Sequence, residues 1–169
     1  MDKRVRERID RIDTFWEGTM KELFQTKREW DNLILRLTLA FVIFPHGAQK
    51  LFGWFGGFGF EKTIGFFTTK MGIPMAIAFL IIIGESLGAL ALVVGALTRL
   101  CALGIFVIMM GAIAMVHWSN GFFMNWFGKQ NGEGFEYHLL VMAISLILIF
   151  KGGGKFSLDG FISDRLVKV

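Results

Sequence analysis

The chain has 169 residues, 54% of them apolar and 19% charged, with 19 phenylalanines, 21 glycines and a formal net charge of +4. So much apolar side chain excludes a disordered polymer. The single Cys101 excludes an internal disulfide framework, and basic residues that are dispersed rather than striped argue against a nucleic-acid reader. The charge is unevenly placed: residues 1–32 carry 16 of the 32 charged side chains, whereas residues 33–150 read as long apolar runs. That segregation is the pattern of an integral membrane protein.

In residues 1–32, Val5, Ile9, Ile12, Trp16, Met20 and Leu23 recur at intervals of three and four with charges between them. The spacing predicts an amphipathic helix with one apolar stripe. Such a helix either lies on the membrane surface or docks a partner subunit, and the stripe fits both.

Four apolar segments follow, over residues 33–52, 73–97, 100–118 and 137–150. A hydrocarbon core of about 30 Å needs roughly 20 helical residues to cross it. The last segment is short unless Glu136 or Lys151 snorkels to an interface. None shows the period-two alternation of a membrane barrel. The expected fold is therefore an all-α integral membrane protein: a four-transmembrane-helix bundle over residues 33–151, preceded by the amphipathic N-terminal helix and followed by a tail, 152–169.

Between the first two spans, residues 51–60 read LFGWFGGFGF, with five aromatics and four glycines. A loop this apolar belongs in the headgroup region, as an aromatic anchor or as a lid over a site between the helices. Residues 61–72 suit a short interfacial helix. An even number of spans puts both termini on one side. Eight basic residues before the first span, Arg99 in the second-to-third turn and four more after the last span place that side in the cytoplasm.

Ionisable groups at membrane depth are costly, and each is a functional candidate. His46, Gln49 and Lys50 share a face in the outer third of the first span. Glu85 falls near the middle of the second, between Gly84 and Gly88, whose G-x-x-x-G spacing suits close helix approach. His117 ends the third span, and Glu136 and His138 begin the fourth. All three histidines thus gather in the outer half. A carboxylate with imidazoles there can relay protons, hydrogen-bond the carbonyls of a quinone, or ligate a metal. A bis-histidine haem between the first and third spans is another arrangement the residues allow. No local ligand motif such as H-E-x-x-H selects a metal, so the cofactor stays open.

The strings FPHGAQKLFG (44–53), GESLGALALVVGALTRLCAL (84–103), HWSNGFF (117–123), GFEYHLL (134–140) and GGGKFSLD (152–159) together resemble the DoxX family, small bacterial and archaeal proteins with four membrane helices. The resemblance falls on His46, Gly47 and Lys50 of the first helix, Glu85 of the second, the Thr98–Arg99 turn, and His117 and Glu136. It implies a four-helix bundle in a prokaryotic cytoplasmic membrane. Relatives in that family include a membrane subunit of thiosulfate:quinone oxidoreductase, and most members have no assigned reaction. The charged N-terminal segment departs from the usual compact family start and marks a specialised subunit.

Three functions follow as expectations. The first is a membrane subunit of a redox system that binds quinone at the outer leaflet through His46, Gln49, Lys50, Glu85 and His117. In it Glu85, His46, His117 and Glu136 are the catalytic and proton-passing groups, and electrons come from a partner subunit or a bound metal. The second is a non-catalytic structural or assembly subunit of a larger complex, docked through the N-terminal helix. The third is a carrier of small solutes or lipids that works as a homo-oligomer. Membrane lipid is a partner in all three.

Overall fold

The computed structural model describes residues 18–19 and 22–166. Most of the expected N-terminal helix lies outside them. Among the described residues all regular structure is helical. We number the elements α1 (Trp30–Phe52), α2 (Gly59–Gly65, continued by a π-turn at Phe66–Lys70), α3 (Met75–Val94), α4 (Thr98–Asn120), α5 (Glu136–Lys151) and α6 (Leu158–Leu166).

The local chemistry accounts for the boundaries. α1 stops at Gly53, whose φ of 74° closes the last turn in the left-handed conformation that only glycine adopts freely. Pro74 opens α3, where a missing N–H costs nothing, and Gly95 (φ 67°) ends it. α3 and α4 are each long and apolar enough to cross a membrane. α1 has 23 residues but carries Arg36 and Lys50, and α5 has 16. At 1.5 Å per residue α5 is about 24 Å long, short of a hydrocarbon core.

α4 packs closely along α5, and α3 lies on α1. The core between them is built from Leu39 and Ile43 of α1, Leu92 of α3, Ile105 of α4 and Leu148 of α5, all at 1% exposure or less. A smaller cluster joins Ile64 of α2 and Ile73 to Ala78 and Ile82 of α3. Large apolar side chains such as Phe41, Leu140 and Phe150 point outward. A water-facing bundle would hide them; a lipid-facing one has no reason to.

The bundle has an arginine end and a histidine end. At the arginine end, residues 152–166 do not extend away as a tail but fold back over the helix termini. Arg36, 1% exposed, donates from Nη1 to the carbonyls of Leu92 (2.6 Å) and Val93 (2.7 Å) in the last turn of α3, where Leu92 O also accepts from Gly95 N–H. Its Nε donates to Gly153 O at 2.9 Å and its Nη2 to the carbonyls of Lys155 and Phe156. Asp159 caps the start of α4 by accepting from the N–H groups of Leu97 (2.7 Å) and Thr98 (2.8 Å). Arg99 donates to Ile149 O at the end of α5 and to Gln25 O. Arg99, read as part of the orientation signal, is thus also a cap of the α5 C-terminus.

Candidate functional site

The histidine end is built differently. Gly47 sits where α1 crosses α3, and a Cβ there would lie 2.2 Å from Glu85 O and 2.4 Å from Ser86 N. Only glycine lets the two backbones meet. That contact sets the next turn of α1, with Lys50, beside the Glu85 side chain. Lys50 Nζ lies 2.5 Å from Glu85 Oε2, while the Glu85 side chain is 6% exposed. The contact is a charge pair, and Oε2 receives no directed hydrogen bond.

Glu85 lies in a π-helical turn of α3, Gly84–Gly88, and His117 closes another in α4, Ile113–His117. Such turns displace side chains from the regular helical register and occur often at functional sites. The first turn of α5 adds Tyr137 and His138. The His117 and His138 rings are 4.1 Å apart between centroids, Tyr137 and His138 are 5.4 Å apart, and His46 and Tyr137 are 6.2 Å apart. His117 Nδ1 donates to Glu133 O at 2.8 Å, because a carbonyl only accepts. That fixes Nε2 as the ring nitrogen left for other partners.

These residues line one groove of about 1120 Å³ between α3 and α4, floored by α1 and α5. Its walls are almost wholly apolar, and its polar groups gather in one place. Two polar atoms in it are buried without a partner, Tyr137 Oη and His138 Nδ1, and Glu85 Oε2 has only its charge pair with Lys50. Buried polar atoms are nearly always satisfied, so a cluster of exceptions in a groove is the mark of a binding site.

Of the residues selected from sequence, His46, Lys50, Glu85 and His117 come together here. Gln49 turns away and donates to Phe55 O, under the apolar loop. Glu136 accepts from the backbone N–H of Met124 (3.0 Å) and from Trp126 Nε1 (3.4 Å), bracing the 121–135 loop rather than lining the groove. The G-x-x-x-G pair does not carry the closest helix approach. A Cβ at Gly84 would meet the Ile108 side chain at 3.0 Å, whereas Gly47 meets backbone. Residues 61–72 are helical over most of their length, as their pattern predicts, and Phe66, Phe67 and Met71 form part of the groove wall.

Tyr137 is the site residue that sequence reading missed, and His138, named among the outer-half histidines, was left out of the expected quinone-binding set. They stand beside Glu136 at a helix start, where the inward face is ambiguous by a residue or two. Their signal was present all the same: a tyrosine and a histidine, both polar-tipped, at the head of an apolar run.

Among the described residues, no three of His, Cys, Asp and Glu gather in a way that could hold a metal ion. The arrangement instead offers hydrogen-bond donors and proton-carrying groups to a ligand with apolar flanks.

A comparison with protein families decides the kinship: the DoxX model matches residues 32–118. The chain belongs to the DoxX family. The matched stretch covers nearly all of α1 to α4 and, with them, His46, Lys50, Glu85 and His117; Tyr137 and His138 lie beyond it. No curated protein and no solved structure matches the chain. As a DoxX protein with two apolar helices of spanning length, it is a membrane protein.

Proposed function

We propose that this DoxX protein is the membrane subunit of a prokaryotic redox system and that the groove binds a quinone. One observation carries the reading: a mostly apolar groove that converges on the Lys50-paired Glu85 and on Tyr137 and His138, each of the latter two with a buried polar atom lacking a partner. A quinone is the complement of that lining. It is a flat apolar ring with two carbonyl acceptors, which Tyr137 Oη–H and an imidazole N–H can meet. Its reduction takes two electrons and two protons. Glu85, His46 and His138 line the place where those protons would pass, while the electrons come from a partner.

In this reading α1, α3, α4 and α5 are four spans in the cytoplasmic membrane. The arginine end faces the cytoplasm, and the groove opens toward the outer leaflet. Residues 1–21 dock the partner that delivers electrons. Residues 22–29 belong to the bundle itself, since Gln25 O accepts from Arg99 and Phe24 is buried. A deletion that probes docking therefore stops before Glu22.

The test is purification in mild detergent, extraction and quantification of bound quinone, and titration with added quinone. Wild type retains quinone, and Glu85→Gln weakens binding by about tenfold or more, about 1.4 kcal/mol. Equal binding by Glu85→Gln, with no co-purified quinone, overturns the proposal.

A further inference from the structure

The α4 side of the groove contains two glycines, Gly104 and Gly111, seven residues apart and so on one helix face. Glycine in a membrane helix usually admits a neighbouring helix. Here it does not: a Cβ added at either position meets no atom within 4 Å. The protein leaves this space to something else.

The packing shows where that space leads. α3 and α4 come near each other where Gly84 faces Ile108. Beyond that point the outer half of α3, Met75–Ile83, packs on α1 and α2 rather than on α4. The groove is thus open between the two helices, past exposed Ile77 and Leu80 of α3 and Met115 and Val116 of α4. These are lipid-facing side chains, so the opening faces the bilayer. At its polar end His138 is 6% exposed, and its Nδ1 has no partner. The groove, at about 1120 Å³, is also larger than the roughly 300–1,000 Å³ clefts that enclose whole drug-sized molecules. A ring bound at Glu85 and His138 fills only part of it.

We infer that the ligand is a long-chain, bilayer-dissolved quinone that enters sideways between α3 and α4. Its ring stops at Glu85, Tyr137 and His138, and its chain lies along α4 over Gly111 and Gly104. This rests on the quinone reading above and adds the chain, its track and its route. Lipid tails are as apolar as the groove, so the chain gains little by leaving the bilayer. Its track therefore governs access and orientation more than affinity. A side chain placed on the track should exclude long-chain quinones and spare the bare ring.

The experiment uses the full chain in nanodiscs of phosphatidylethanolamine and phosphatidylglycerol. Two quinones with the same ring, one chainless and one carrying a ten-carbon chain, are titrated by quenching of tryptophan fluorescence, with empty discs as the reference for partitioning. Gly111→Phe and Gly104→Phe are expected to weaken the long-chain quinone by about tenfold or more while changing the chainless one by less than about twofold. Retained chainless binding also shows that the variants are folded. If both variants bind the long-chain quinone like wild type, or lose both quinones equally, the track is overturned. In that case loss of both quinones in Glu85→Gln still upholds the polar site. If wild type binds neither quinone, the quinone reading falls and the track falls with it.

Discussion

The two ends of this bundle handle buried polar groups in opposite ways. At the arginine end Arg36 is 1% exposed, yet every guanidinium nitrogen donates to a carbonyl, and Asp159 satisfies two N–H groups at the start of α4. The atoms left unpaired there, Thr98 Oγ1 and Asn32 Oδ1, are neutral. At the histidine end a charged carboxylate, a phenol and an imidazole are buried around a groove with bonding capacity to spare. Burying a polar group without a partner costs free energy, and the arginine end avoids that cost for its charged groups, leaving it only at two neutral oxygens. The histidine end retains it, as ligand sites do. The difference separates a region built to hold the helices from one built to hold a ligand.

Removing the arginine should produce the largest effect. Arg36→Met leaves the carbonyls of Val93 and Gly153 without their donor and takes one of two donors from Leu92 O. Hydrogen bonds to charged groups contribute roughly 1.5–3 kcal/mol each, so the variant should lose at least about 3 kcal/mol of stability. That lowers the thermal midpoint by roughly 6–12 °C, read in detergent by intrinsic fluorescence. A midpoint within about 2 °C of wild type would show that the arginine end is not the structural one.

Gly47→Ala tests the joint between the two regions. The added methyl meets the Glu85 backbone at 2.2 Å, so α1 and α3 must separate. Overpacking of this kind costs about 1–3 kcal/mol, and it also pulls Lys50 away from Glu85. Gly104→Ala is the control, because its methyl meets no atom within 4 Å. It should be neutral or gain up to about 1 kcal/mol in helix propensity. Equal thermal midpoints for the two alanine variants would mean that the close contact at Gly47 does not hold the site together.

How legible these features were in the sequence depends on how local their cause is. α3 and α4 announce themselves because twenty apolar residues have one physical solution in a bilayer. Glu85 stands out for the same reason, as a carboxylate in the middle of such a run. Gln49 shared a face with His46 and Lys50 in a regular helix, yet the loop after Gly53 folds back and takes it. The role of residues 152–166 was hidden for a related reason. Glycines and charges after a last span look like a free tail until their targets, the ends of α3 and α4, are placed beside them. Helix pairing decides which of two glycine sites meets backbone, and neither periodicity nor spacing encodes that pairing.

The smallest of these effects has the most telling sign. Tyr137 Oη is buried and has no partner, so Tyr137→Phe removes a group that is already costing stability. Without ligand the variant should be as stable as wild type or more stable by about 1 kcal/mol, whereas the same kind of deletion at the arginine end destabilises. With quinone present the order should reverse, because only wild type gains the hydrogen bond that the ligand brings. Thermal melts of both proteins with and without added quinone measure the crossing directly. A Tyr137→Phe protein that is less stable without ligand would mean that the hydroxyl already has a partner within the protein. The groove would then be another satisfied interior, and the contrast between the two ends would fail.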